Sequence, residues 1–191
     1  MNIYDPYPEE VELDGKTYPL NLSYDRVLMM LDIQDDKSLT TADKLETQCV
    51  LILKNGYKDL PRTVDGRQKL LKSVLDLFPK KEDGQSKEKY IDFHQDAAMI
   101  RSAFFRIGVD LLKDKIHIFQ FLELLADLPS DTALIRTVEI RQRPLPKPTK
   151  HNGEQIAALQ KAKERVAIKM SEEERRELFA QSLKNATILR G

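Results

Sequence analysis

The sequence predicts a mainly α-helical protein, with a small N-terminal β-hairpin packed on a helical bundle and followed by a C-terminal helical arm. Three observations predict this fold. Residues 11–20 alternate apolar and polar side chains around Asp14-Gly15, a pair that is typical of a hairpin turn. Apolar residues then recur at helical spacing from residue 23 to residue 140. Three prolines within residues 143–148 interrupt that pattern before a last charged stretch.

The hairpin is short, and a lone hairpin is marginally stable in water, so it must pack on the helices. Three helices are predicted in the first half of the chain. Ser23 and Thr41 are N-cap candidates for the first two, and Asn55-Gly56 ends the second. The third covers residues 65–78, and Pro79 ends it. The polar residues 80–89 are expected to form an exposed loop.

Residues 96–128 are the most apolar stretch and predict a buried helical hairpin. Ile100, Phe104 and Leu111 lie on one face of its first helix. The second helix begins near His117, contains Phe121 and ends at Pro129. A further short helix is expected over residues 131–140.

We expect three parts along the chain. Residues 1–142 form the β-hairpin and helical bundle, residues 143–153 a Pro-rich linker, and residues 154–191 a basic, charged helical arm. Proline is incompatible with a helix interior, which makes the linker semi-rigid and extended. A capping box that starts at Ser171 predicts a second helix within the arm.

The formal net charge of zero conceals two halves of opposite charge. Residues 1–100 carry 14 basic and 19 acidic side chains, whereas residues 101–191 carry 17 basic and 12 acidic ones. A neutral total disfavours a protein that coats nucleic acid. The basic residues 136–169 contain no aromatic side chain that could stack on bases. The two halves suggest instead that the arm of one copy docks on the acidic region of another, giving a homo-oligomer.

The sequence disfavours a membrane-spanning or a secreted protein. No apolar run approaches the roughly 20 residues that a membrane helix needs, and the N-terminus does not read as a secretory signal. The single cysteine, Cys49, cannot form an internal disulfide, and its apolar neighbours place it in the core. The simplest location is therefore a reducing cytoplasm.

We expect no enzyme activity and no cofactor. The glycines form no phosphate-binding pattern, and no Gly-x-Ser-x-Gly elbow is present. His94, His117 and His151 each lie more than 20 residues from the next, so they do not form a metalloprotease-type metal motif.

Two carboxylates are candidates for contact with a partner. Asp96 precedes a helix, so it either accepts hydrogen bonds from the free amides there as an N-cap or faces a binding partner. Asp110 lies near the end of that helix, where the dipole disfavours an anion. We therefore expect Asp110 to have a basic or amide partner, with His117 as one candidate, or to face a binding partner.

The central segment from Asp92 to Phe105 has a distinctive order of aspartate, isoleucine and alanine-phenylalanine residues, and Gly108-Val109-Asp110-Leu111 and residues 117–128 continue it. Leu13–Tyr18 and Ile140-Arg141 add shorter matches. Together these segments resemble a Gp15-like family of tail-module proteins from long-tailed phages of Gram-positive bacteria. Where that family tends to have tryptophan after the histidine, this chain has Ile118-Phe119.

The resemblance implies a tail assembly chaperone that is not an enzyme and that binds the tape-measure protein, the major tail protein or both. The alternatives are a structural tail or baseplate component retained in the virion tail, and an accessory protein that binds nucleic acid. The candidate partner-binding or motif residues are Asp96, Ile100, Phe104, Asp110, Leu111, His117, Phe121 and Arg141.

Overall fold

The computed structural model of the protein describes residues 4–79 and 89–169. These residues form a two-stranded sheet, seven α-helices and one short 3-10 helix, which confirms the mainly helical fold with an N-terminal hairpin. Residues 80–88 of the predicted loop and the predicted capping box at Ser171 lie outside the described residues. Within the described ranges, no helix is long and apolar enough to cross a membrane.

The chain contacts group into two units. The first combines Met1–Ser86 with Ile107–Leu128, and the second combines Lys87–Arg106 with Pro129–Gly191. This grouping differs from the division into residues 1–142, 143–153 and 154–191. A grouping of contacts does not show which segments fold independently, so the predicted domain boundaries stay a prediction.

The N-terminal hairpin forms as predicted. Strands β1 (Glu10–Leu13) and β2 (Lys16–Pro19) are antiparallel, with Val11 paired to Tyr18. Asp14 and Gly15 both have positive φ, 52° and 74°, which a tight two-residue turn of this hand requires. Val11 and Tyr18 are buried, since β1 packs against a helix of the first unit.

Four helices build the first unit: α1 (Tyr24–Asp35), α2 (Thr41–Ile52), α3 (Val64–Leu75) and α5 (Ile118–Ala126). Helix α2 packs on α1 and α3, and α5 packs on α1. Ser23 is the N-cap of α1 as predicted, but the N-cap of α2 is Thr40, whose side chain accepts a hydrogen bond from the Asp43 amide. In α1 the buried residues are Val27 and Met30, whereas Leu31 is exposed.

An extended segment between the hairpin and α1 positions α5. The Asn21 amide donates to the Ile52 carbonyl at the end of α2, at 2.7 Å. At the next residue, the Leu22 carbonyl accepts a hydrogen bond from the Ile118 amide at 2.8 Å. This backbone pairing places His117 at the start of α5, beside the N-terminal residues.

The second unit contains α4 (Ala97–Arg106), α6 (Ala133–Gln142) and α7 (Gly153–Val166). Helix α6 packs against both α4 and α7. Ile100, Phe104 and Leu134 are buried in its core. Helix α7 has no fully buried residue.

The predicted helical hairpin over residues 96–128 is wrong as a pairing of helices. Its helices α4 and α5 are both apolar and contain the fully buried Phe104 and Phe121. However, α4 packs on α6 and α5 packs on α1, in different units. Hydrophobic periodicity identifies the face that is buried, but it carries no information on which element covers that face.

The neighbouring residues Phe104 and Phe105 provide a matched test of this packing, since Phe104 is 0% exposed and Phe105 is 71% exposed. Phe104→Ala should reduce the free energy of unfolding by about 3–5 kcal/mol, because it leaves a cavity in the core. Phe105→Ala should change it by less than about 0.5 kcal/mol. Denaturant unfolding of both variants measures the difference, and equal losses would contradict the packing of α4.

Candidate partner-binding site

A buried ion pair joins two of the candidate residues, Asp96 at the start of α4 and Arg141 in α6. The guanidinium donates two hydrogen bonds to the carboxylate, Nη1 to Oδ2 at 2.6 Å and Nη2 to Oδ1 at 2.8 Å. The side chain of Asp96 is 0% exposed and that of Arg141 is 7% exposed. Such a fork-to-fork pair fixes the direction as well as the separation of both side chains.

This pairing corrects the expectation that Asp96 is the N-cap of α4. Its carboxylate instead accepts hydrogen bonds from Arg141 and, through Oδ2, from the Asp92 amide at 2.9 Å. Asp92 instead caps the turn that precedes α4, because its Oδ1 accepts from the amides of His94 and Gln95. The sequence could not separate these two aspartates, since both precede the same helix.

The ionisation of both aspartates follows from these contacts. Burial raises the pKa of the Asp96 carboxyl, but the hydrogen bonds from Arg141 and the Asp92 amide outweigh burial and leave that pKa below its usual value. The hydrogen bond from the Gln95 amide, together with Lys89, lowers the pKa of Asp92 to about 2. Both groups are therefore charged throughout the neutral range.

Arg141 also joins two further stretches of backbone. Its Nη1 donates to the Tyr90 carbonyl at 2.7 Å, and its Nε donates to the Val166 carbonyl at 2.6 Å. Three of its nitrogens thus make four hydrogen bonds, which tie the start of α4 and the end of α7 to α6. The Ile140-Arg141 dipeptide contributes to the family resemblance, but no local pattern indicates this central position of Arg141.

Gln95 was missed by the sequence reasoning. Its Nε2 donates to the Ala167 carbonyl at 2.9 Å, and its Oε1 accepts from the Lys169 amide at 2.9 Å. The side-chain amide therefore holds the backbone on both sides of Ile168. We call residues 166–169 the docked segment, and Gln95 with Arg141 the clamp.

The remaining candidates of the second unit lie under the outer face of α4. Ile100 and Phe104 lie on the buried face of α4. The exposed residues of α4 recur at helical spacing on its opposite face: Ala98, Arg101, Ser102, Phe105 and Arg106. Phe105 is the large apolar side chain of that face. Its position about 100° around the helix from Phe104 was the available signal that it could face outward.

In the first unit, His117 is the N-cap of α5. Its Nδ1 accepts from the Phe119 amide at 3.2 Å, so its proton lies on Nε2, which is 3.2 Å from the Pro8 carbonyl oxygen. The Tyr7 ring stacks on the imidazole at 4.9 Å. Tyr7 also donates to Glu123 at 2.6 Å, which fastens the N-terminal residues to α5.

A cleft of about 360 Å³ opens beside His117. It is lined by Pro8 and Glu9 on one side, by the extended segment of residues 20–23, and by the side chains of Lys54 and Lys115. Lys115 is held by Asp25 at 2.7 Å. Both ring nitrogens of His117 are engaged, so the imidazole serves structure rather than proton transfer in this arrangement.

Three other candidates of the first unit have structural contacts. Asp110 accepts from the Leu112 amide and pairs with Lys113 at 3.1 Å, which confirms a basic and amide partner, though not His117. Leu111 lies beyond the end of α4 at Arg106, not in that helix as predicted. It is buried, and its carbonyl accepts a hydrogen bond from the Tyr24 hydroxyl. Phe121 stacks on the Tyr24 ring at 5.0 Å.

Cys49 occupies the core position predicted for it. It is 0% exposed, and its thiol donates to the Arg67 carbonyl at 3.4 Å. Burial raises the pKa of the thiol to about 11, so the reactive thiolate is scarce at neutral pH. Among the described residues, no group of three or more His, Cys, Asp or Glu side chains is placed to hold a metal ion.

The sequence was also compared with known proteins. A family described as Bacteriophage Gp15 protein matches residues 3–168. The chain belongs to this family. It is therefore a phage protein of the structural or assembly kind, and the family match extends over residues of both units. No curated protein and no solved structure gives a significant match.

Breaking the buried ion pair should destabilise the protein strongly. Asp96→Ala leaves the guanidinium of Arg141 buried without its partner, and we expect a loss of about 3–5 kcal/mol in the free energy of unfolding. The matched control is Asp131→Ala, which breaks the exposed pair of Asp131 with Arg106 and should change the free energy of unfolding far less, because water screens that pair. Similar losses in the two variants would contradict the importance of burial.

His117 should make stability depend on pH. Burial lowers the pKa of the imidazole in the folded protein, against the opposing effects of the Pro8 carbonyl and Glu9. As the pH falls, the unfolded chain therefore binds a proton at His117 before the folded protein does. The contribution of His117 to stability is complete above pH 7 and decreases as the pH drops through about 6.5 towards the folded pKa. The carboxylates with lowered pKa lose their contribution only at more acidic pH, below about 4.

Thermal unfolding between pH 7.5 and 5 measures this dependence. His117→Ser keeps an N-cap side chain and removes the titration, so its midpoint should fall less with decreasing pH than that of the wild type. Substitution of the exposed His151 by Gln is the control and should leave the wild-type dependence in place. An unchanged slope in His117→Ser would refute this assignment.

Proposed function

We propose that this protein is a tail assembly factor that is not an enzyme, namely a chaperone that binds the tape-measure protein or the tail subunits. Its membership of a phage protein family is the observation that carries this proposal. The resemblance of its central segment to tail-module proteins supports a role in tail assembly. Binding a helical, aggregation-prone client requires an apolar contact surface with charged residues around it and no reacting group.

The outer face of α4 is the surface we assign to the client. Phe105 is 71% exposed there, beside the exposed Arg101. Aromatic side chains and arginine are enriched at protein interfaces. An amphipathic client helix that carries an acidic side chain beside its apolar face would match this pair.

The buried ion pair and the core explain why this face is suited to binding. The Asp96–Arg141 pair fixes the start of α4, and the buried Phe104 holds the helix against α6. A rigid helix loses little conformational freedom when a partner binds, so more of the interaction energy appears as affinity.

Co-expression with the tape-measure protein and with the major tail protein of the same phage tests the contact. Phe105→Ala should weaken capture of the client by about 30-fold, as expected for an aromatic hot spot, without lowering the unfolding midpoint. Leu145→Ala is the matched control, because Leu145 is also exposed and apolar but lies outside α4. Equal capture by wild type and Phe105→Ala would refute this surface.

Mass spectrometry of purified virions tests the chaperone role itself. A chaperone leaves its client, so the chain should be absent from virions or present in trace amounts, while abundant in infected cells. Stoichiometric copies in the particle would contradict the chaperone and favour a structural tail or baseplate component.

A further inference from the structure

Helix α7 and the docked segment are attached to the second unit mainly through the backbone. The clamp makes three hydrogen bonds to the docked segment, and each of them ends on a backbone atom of Val166, Ala167 or Lys169. Lys163 adds a bond to the Arg141 carbonyl at 2.7 Å. Since α7 has no fully buried residue, little apolar surface opposes its release.

The connection to α7 has features of a hinge. Residues 142–151 are all exposed, and prolines at 144, 146 and 148 favour an extended path. The chain turns back at Asn152, whose Oδ1 accepts from the Thr149 amide at 2.7 Å and whose Nδ2 donates to the Lys147 carbonyl at 2.9 Å. These two bonds exist only while the turn is closed.

We propose that α7 and the docked segment exchange between two copies of this chain, forming a swapped dimer. In the exchanged form the clamp of one copy holds residues 166–169 of the other, and every docking contact is made again. Only the two Asn152 bonds are lost in each chain. The contacts of the closed monomer and of the swapped dimer therefore differ by little, which favours domain swapping.

A second copy is the occupant that the observations favour. Its docked segment is identical to the one already seated, so it fits the clamp without any new interaction. The exchange does not depend on which tail protein the chain binds, and it differs from docking of the arm on an acidic N-terminal region.

Light scattering coupled to size exclusion, from micromolar to millimolar concentration, tests the exchange with the full chain. The wild type should show a dimer that grows with concentration. Asn152→Ala should strengthen dimerisation by about tenfold, because it removes bonds that only the closed monomer makes. Gln95→Ala removes bonds made in both forms, so it should leave the dimer dissociation constant within about twofold of the wild type.

Mixed isotope labelling identifies the contact in the dimer. Isotope-filtered NOEs should connect Arg141 of a labelled chain to Val166 of an unlabelled chain. A chain that stays monomeric in both the wild type and Asn152→Ala would overturn the exchange. So would a dimer whose Arg141–Val166 NOEs are intramolecular, or one whose α7 contacts the N-terminal residues of the second copy.

Discussion

The buried ion pair of Asp96 and Arg141 is the interaction on which the second unit depends. Removing two charges from water is costly, and only a bidentate geometry with further hydrogen bonds offsets that cost. Here the Asp92 amide, the Tyr90 carbonyl and the Val166 carbonyl supply those bonds. One guanidinium thereby fixes where α4 starts, how α6 lies against it and where α7 ends.

This constraint separates a rigid part of the unit from a loosely held one. Helix α4 is fixed by the ion pair and by Phe104, and it exposes Phe105 on its outer face. Helix α7 is held by bonds to its backbone and by partial burial only. A fixed, exposed helix face beside a loosely held helix is consistent with the proposal that this protein binds other chains and releases them.

The candidate residues chosen from the sequence prove to be a mixture of roles. Ile100, Phe104, Leu111 and Phe121 are core residues, and His117 is a helix cap stacked on Tyr7. Their position in a distinctive central segment reflects packing. The residues best placed to contact a partner or a second copy, Phe105 and Gln95, were not among them. A pattern of residue types marks a position as constrained, but it does not tell whether the constraint comes from the core or from a surface.

The sequence by itself determined the local structure. The Asp14-Gly15 turn, the apolar stripes of the helices, the core position of Cys49 and the interruption by prolines all follow from interactions within a few residues. Only the tertiary structure decided that α4 packs on α6 rather than α5, that Asp96 pairs with a residue 45 positions away, and that α7 returns to α6. The reason is physical. A local pattern specifies what each segment must bury or pair, whereas the choice among equally apolar or charged partners depends on the geometry of the assembled chain.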